Sequence, residues 1–187
     1  MQLAPARAIF LNTLSLYAVA LVLAVAFAAQ LLLNELPCPL CLLQRIMFAL
    51  LAVGPILNVR FGPRPSHYAM SLLAALVGAV VSTRQVLLHI LPGDPGYGTA
   101  LFGYHYYTLA LIGFAAAILL IGAMLLFDRQ FEPEAATPKF DAPGWPATIA
   151  VWLMIALTVL NVVSTLLECG FGACADNPEV YELLRGR

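Results

Sequence analysis

The chain has 187 residues, of which 62% are hydrophobic and 10% charged, with a net charge of −1 at pH 7. That balance excludes an ordinary soluble domain and gives no sign of a nucleic-acid partner. A bilayer core about 30 Å thick takes roughly 20 apolar residues in a helix. Five apolar runs meet that length, near 8–33, 40–57, 68–91, 104–127 and 147–167.

None of the runs alternates with the two-residue period of a membrane barrel strand. The expected fold is therefore an all-α integral membrane protein, a bundle of four transmembrane helices plus a fifth C-terminal one, forming a single membrane domain over 1–187. The first run follows Arg7 and holds the small-residue stretch AVAFAA, as a cleaved signal peptide would. Its length exceeds the apolar core of roughly 7 to 15 residues typical of signals, which favours a retained span.

The second run opens with LPCPLCLLQR. Cys38 and Cys41 sit at a helix start, where unpaired backbone N–H groups and the helix dipole favour a thiolate, and Pro39 suits the first turn. Positions 38, 41 and 45 follow i, i+3, i+7 spacing, which places both sulfurs and Arg45 along one stripe pointing into the membrane. An arginine at that depth is a functional candidate, against the alternative of a side chain that snorkels to the headgroups. Gln44 lies beside it.

The third run carries Arg84, Gln85 and His89 near its end, at a depth similar to Arg45. They are candidates to line a pocket between spans two and three, with an interfacial or hydrogen-bonded role as the alternative for His89. The loop LPGDPGYG follows, and then Tyr104, Tyr106 and Tyr107, which read as membrane-interface residues. His67 on the inner loop and His105 among the tyrosines receive no role. A polar stretch, DRQFEPEAATPKFDAPGWP, reads as a linker before the fifth run.

Lysine and arginine in short loops set orientation. With a cytoplasmic N-terminus, Arg7, Arg60, Arg64, Arg129 and Lys139 lie inside and only Arg185 and Arg187 lie outside. Cys38, Cys41, Cys169 and Cys174 then all fall on the outer face, where disulfides form and persist. The last two belong to ECGFGACADNP, in an outer tail over 168–187 whose EVYELL segment reads as a short surface helix with Val180, Leu183 and Leu184 toward lipid.

Four cysteines permit three pairings. The chemically economical one joins Cys38 to Cys41 and Cys169 to Cys174, with exchange between the pairs through mixed disulfides. A static tail disulfide and a four-cysteine zinc site are the alternatives.

At CPLCLLQR, and more weakly at RQVLLH, the sequence resembles the DsbB family of bacterial inner-membrane disulfide-generating proteins. The resemblance implies a protein that reoxidises a periplasmic DsbA-like thioredoxin-fold oxidase and passes two electrons to ubiquinone or menaquinone. It implies that Cys41 faces the quinone, that Arg45 contacts it, and that Cys38 exchanges with Cys169 and Cys174. It also implies a multi-pass protein of the bacterial inner membrane, with all four cysteines periplasmic.

The best-known members have four spans, with the second pair in a long outer loop between spans three and four. Here that loop lacks cysteine and the pair follows a fifth span, still on the outer face. Two rivals remain at this point. A vitamin K epoxide reductase-like quinone reductase usually carries its dithiol on a late span, and a non-enzymatic protein with structural disulfides or zinc would not need Arg45 beside its thiols.

Overall fold

The computed structural model describes residues 3–132 and 144–185. Among these residues five helices, one of them kinked, are long and apolar enough to cross a membrane. Helix α1 covers Pro5–Leu32, and the second span is made of α2 (Pro39–Leu51) and α3 (Val53–Phe61). Helix α4 covers Pro65–Leu88, α5 Tyr106–Leu125 and α6 Trp145–Cys169. A proline in the first turn opens α1, α2, α4 and α6, where its missing N–H costs nothing.

The kink at Ala52 has a chemical cause three residues on. Pro55 has no N–H to give the carbonyl of Leu51, four residues earlier. Ser71 Oγ of α4 donates to that carbonyl instead, at 2.7 Å. The two helices approach so closely there that a Cβ on Gly54 would collide with the backbone of His67 and the hydroxyl of Ser71.

Helices α1, α2–α3, α4 and α5 form the bundle, and α6 lies mainly against α1, with a smaller contact to α2. The rings of Phe48 and Phe114 stack at 4.1 Å in the core, and Phe114 fits because Gly78 presents no Cβ beneath it. Outward positions such as Leu73, Val80, Leu119 and Trp152 are exposed and apolar, as lipid contact requires.

At the end of the bundle remote from the cysteines a buried polar network ties the helices together. Asn12 Nδ2 donates to Tyr68 Oη at 2.8 Å, and Tyr68 Oη donates to Gln130 Oε1 at 2.9 Å. Asn58 Nδ2 donates to Asn12 Oδ1 at 2.9 Å, while Asn58 Oδ1 accepts the backbone N–H of Arg64 and lies 2.9 Å from His67 Nδ1. His67 thus belongs to the first turn of α4 and is buried, not part of an inner loop.

The outer loop after α4 contains a short hairpin, β1 (Ala100–Leu101) paired antiparallel with β2 (Tyr104–His105), which hydropathy alone does not announce. Both turn residues have positive φ, Phe102 at 54° and Gly103 at 82°, as a two-residue hairpin turn demands. The tail forms one turn of 3-10 helix at Glu182–Leu184, shorter than the surface helix expected, and Leu183 packs over Gly170. Lys139, Arg187 and the middle of the polar linker lie outside the described residues.

Candidate functional site

Two disulfides are present, Cys38–Cys41 and Cys169–Cys174. Cys38 is the N-cap of α2, and its sulfur accepts the backbone N–H of Cys41 at 3.2 Å. The stripe expected from spacing therefore begins with a capping residue and continues on the helix from Cys41 to Arg45, one turn deeper.

A second set of donors comes from α4. Gln85 is 1% exposed, and its Nε2 donates to Cys38 Sγ at 3.2 Å and to Cys41 Sγ at 3.4 Å. Gln44 Nε2 donates to Gln85 Oε1 at 2.9 Å, which fixes which end of the Gln85 amide meets the sulfurs. When the bond is open, the same N–H groups face thiolate, a stronger acceptor than a disulfide sulfur.

Arg45 is held from two other helices. Its Nη1 donates to Gln30 Oε1 at 2.7 Å and to Asn161 Oδ1 at 3.4 Å, and its Nη2 donates to the Ala26 carbonyl at 2.8 Å. Gln30 Nε2 in turn donates to Ser164 Oγ at 2.7 Å and to Tyr181 Oη at 3.0 Å. These bonds orient the guanidinium toward protein rather than toward the headgroups.

Cys41, Gln44 and Arg45 border a cavity of about 300 Å³ whose other walls come from α1, α5 and the outer loop. Val22, Val25, Leu109 and Phe48 make it apolar, and that volume is at the lower end for a small-molecule site. A flat apolar molecule with an acceptor oxygen at its rim suits this mixture of one cation, one amide and a hydrocarbon wall.

Its roof is clasped to the segment before Cys38. Tyr97 Oη donates to the Leu36 carbonyl at 2.7 Å, and Glu35 accepts the Thr99 N–H at 3.0 Å and the Thr99 hydroxyl at 3.3 Å. Burial, with Glu168 and Glu35 nearby, holds the Tyr97 phenol above its ordinary range.

The pocket expected between spans two and three lies instead between spans one, two and four. Arg84 does not reach it. One residue along a helix is a turn of about 100°, so while Gln85 faces the disulfide, Arg84 emerges on the outer flank beside Val80, Leu87 and Leu88.

His89 does not line the cavity either. Its Nδ1 lies 3.0 Å from Asp94 Oδ1, and its ring stacks on Tyr107, which does line the cavity. The Gly96 N–H and His89 hold the Asp94 carboxyl below its usual range. Tyr106 and Tyr107 line the cavity, and Tyr104 alone of the three is exposed.

The second disulfide ends α6. Cys169 is buried, whereas Cys174 is partly open. Beside Cys169 stands Glu168, 2% exposed, with neither carboxylate oxygen hydrogen-bonded. Asn161, Ser164 and Glu168 were not singled out as site residues, yet polar residues at i, i+3, i+7 in an otherwise apolar span are the signal of an inward face. Gln30, lone in its run, carries the same signal.

A family model described as Disulfide bond formation protein DsbB matches residues 7–167. Disulfide bond formation protein B of Xanthomonas axonopodis pv. citri (strain 306) is 43% identical over 93 residues, which is 47% of this chain and 53% of that protein. The protein of the same description from Chromobacterium violaceum is 43% identical over 79 residues, 38% of this chain and 46% of that protein. Disulfide bond formation protein B 2 of Burkholderia lata is 38% identical over 65 residues, 34% of this chain and 39% of that protein. The chain thus spans about half the length of the curated relatives it matches. No solved structure matches it.

Proposed function

The chain belongs to the DsbB family, and from that premise we propose that it is a quinone-linked protein-disulfide oxidoreductase of the bacterial inner membrane. Its water-side partner is a periplasmic DsbA-like thioredoxin-fold oxidase, which it reoxidises. Its membrane-side acceptor is ubiquinone or menaquinone. The observation that carries this reading is that Cys41 of a disulfide and the buried cation Arg45 border one apolar cavity. A bound quinone supplies a two-electron, two-proton acceptor there.

The roles of the chain's own residues follow from their positions. Cys169–Cys174, on the outer tail, is opened by the partner's thiolate and becomes a dithiol. That dithiol attacks Cys38–Cys41 through a mixed disulfide, which passes the electron pair inward and restores Cys169–Cys174. Cys41 then stands as the thiol at the cavity wall. The α2 N-terminus and Gln85 stabilise its charge, and Arg45 holds an acceptor oxygen in the cavity. The apolar walls keep bulk water from the reacting sulfur.

The excess of arginine at the end that holds Arg7, Arg60, Arg64 and Arg129 supports a cytoplasmic N-terminus and four periplasmic cysteines. The test is reduction of ubiquinone-1 by purified protein with a reduced thioredoxin-fold partner. Cys41→Ser is expected to abolish turnover. Arg45→Ala, losing a charge-assisted hydrogen bond, is expected to raise the quinone KM about tenfold or more. Full turnover in Cys41→Ser refutes the relay.

A further inference from the structure

The relay leaves one buried ionisable group without a task. Glu168 sits on the last turn of α6, next in the chain to Cys169, and both carboxylate oxygens lack a hydrogen-bond partner. Leaving a charged carboxylate so placed is costly, whereas a protonated carboxyl has a proton to give. The charged and titratable groups facing this region are Arg45 from α2, Glu35 and Tyr97 from the loops flanking α2 and α4, and Tyr181 and Glu182 from the tail. Arg45 hydrogen-bonds to Gln30, Ala26 and Asn161 and not to Glu168, which leaves the carboxyl without a hydrogen-bond partner.

Exposure decides which sulfur needs that proton. An incoming thiolate reaches the more open Cys174, which makes the buried Cys169 the leaving sulfur. At 9% exposure that sulfur has less access to water than Cys174 has. We propose that Glu168 is the acid–base group of the outer pair, giving its proton to Cys169 when the disulfide opens and taking it back when Cys169 attacks inward. This rests on the relay proposed above.

The atoms balance at each step. As the thiolate bonds to Cys174 Sγ, the Cys169–Cys174 bond breaks, its electron pair leaves on Cys169 Sγ, and the Glu168 proton moves to that sulfur. The partner's second thiolate then displaces Cys174, completing the partner's disulfide and leaving Cys174 to take a proton from water. In the return step Cys169 gives its proton to Glu168 and bonds to Cys38 Sγ, and Cys41 leaves with the electron pair. Cys174 gives its proton back to water, and its thiolate closes on Cys169 and releases Cys38. Glu168 and Cys174 end as they began, Cys38 and Cys41 hold the electron pair as thiolates, and the protons that accompany it inward come from water.

The experiment uses the full chain in detergent micelles, with dithiothreitol as reductant, in a Cys38→Ala/Cys41→Ala background that leaves only the outer disulfide. Opening is followed by thiol trapping from pH 5 to 9 and referred to the dithiothreitol thiolate present at each pH. With Glu168 intact, the rate per thiolate is expected to be high at low pH and to fall as the carboxyl ionises. Glu168→Gln is expected to be flat and about 100-fold slower at the low end, the usual scale of general acid catalysis. Glu168→Asp retains the falling profile.

A Glu168→Gln rate and profile equal to those with Glu168 intact overturn the assignment, with thermal melting and the Asp variant separating this from misfolding. Failure of the unmutated protein to reduce ubiquinone-1 from dithiothreitol overturns the relay, whereas the outer-pair profile reports on Glu168 alone.

Discussion

Replacing Gln85 by leucine removes both N–H contacts to the Cys38–Cys41 sulfurs, at 3.2 and 3.4 Å, while keeping a side chain of similar reach. A hydrogen bond to a charged group contributes about 1.5–3 kcal/mol and one to a neutral group about 0.5–1.5 kcal/mol. The difference between the midpoints, about 1.3 kcal/mol, falls on the reduced form, because only there does a sulfur carry charge. For a two-electron couple that is about 30 mV, or tenfold in equilibrium constant. Gln85→Leu is therefore expected to make this pair about 30 mV more reducing, a weaker oxidant of the outer dithiol.

The substitution also strands Gln44 Nε2, whose acceptor is Gln85 Oε1, at a stability cost of about 1–3 kcal/mol. Gln44→Leu/Gln85→Leu removes both partners, so it should regain much of the melting temperature without regaining the potential. The assay is redox equilibration with dithiothreitol buffers and maleimide trapping in a Cys169→Ala/Cys174→Ala background. A potential unchanged within 10 mV, or shifted upward, refutes the role given to Gln85.

Ser71→Ala leaves the Leu51 carbonyl without its donor at the Pro55 kink, and is expected to lower stability by about 1–3 kcal/mol, read from thermal melting in micelles. Gly78→Ala drives a Cβ into the Phe114 ring, and overpacking of this kind costs about 1–3 kcal/mol, read from thermal melting in micelles. Asp94 has a folded pKa below its unfolded one, so the loop order it gives is present above the unfolded value and lost as pH falls through the folded one. Exchange protection of the Gly96 amide, which donates to Asp94 Oδ1, is thus expected to be lost only as pH falls below the ordinary aspartate range, and to be absent at every pH in Asp94→Ala.

Five spans were legible in the sequence because crossing a bilayer depends on length and apolarity, which are local properties. The link from Cys41 to Arg45 was legible too, since i, i+4 positions share a helical face whatever the tertiary packing. The location of the cavity was not. It depends on how α1 and α5 lean against α2, and no short window holds that register.

Arg84 and Gln85 show the limit most sharply: depth along α4 is the same for both, and rotation about its axis sends one to lipid and the other to the sulfurs. Cysteine spacing carries no information about Glu168. The polar spacing through Asn161 and Ser164 that marks the inner face of α6 needed only a count by threes and fours.

The network of Asn12, Asn58, His67, Tyr68 and Gln130 has a mechanical consequence. It binds the helices like a sheaf tied at the end remote from the cysteines. Each disulfide closes a short loop within one stretch of chain, Cys38 to Cys41 and Cys169 to Cys174, so neither clasps two helices together. Opening either bond leaves the sheaf's tie intact, and the bundle keeps its shape while the sulfurs change partners.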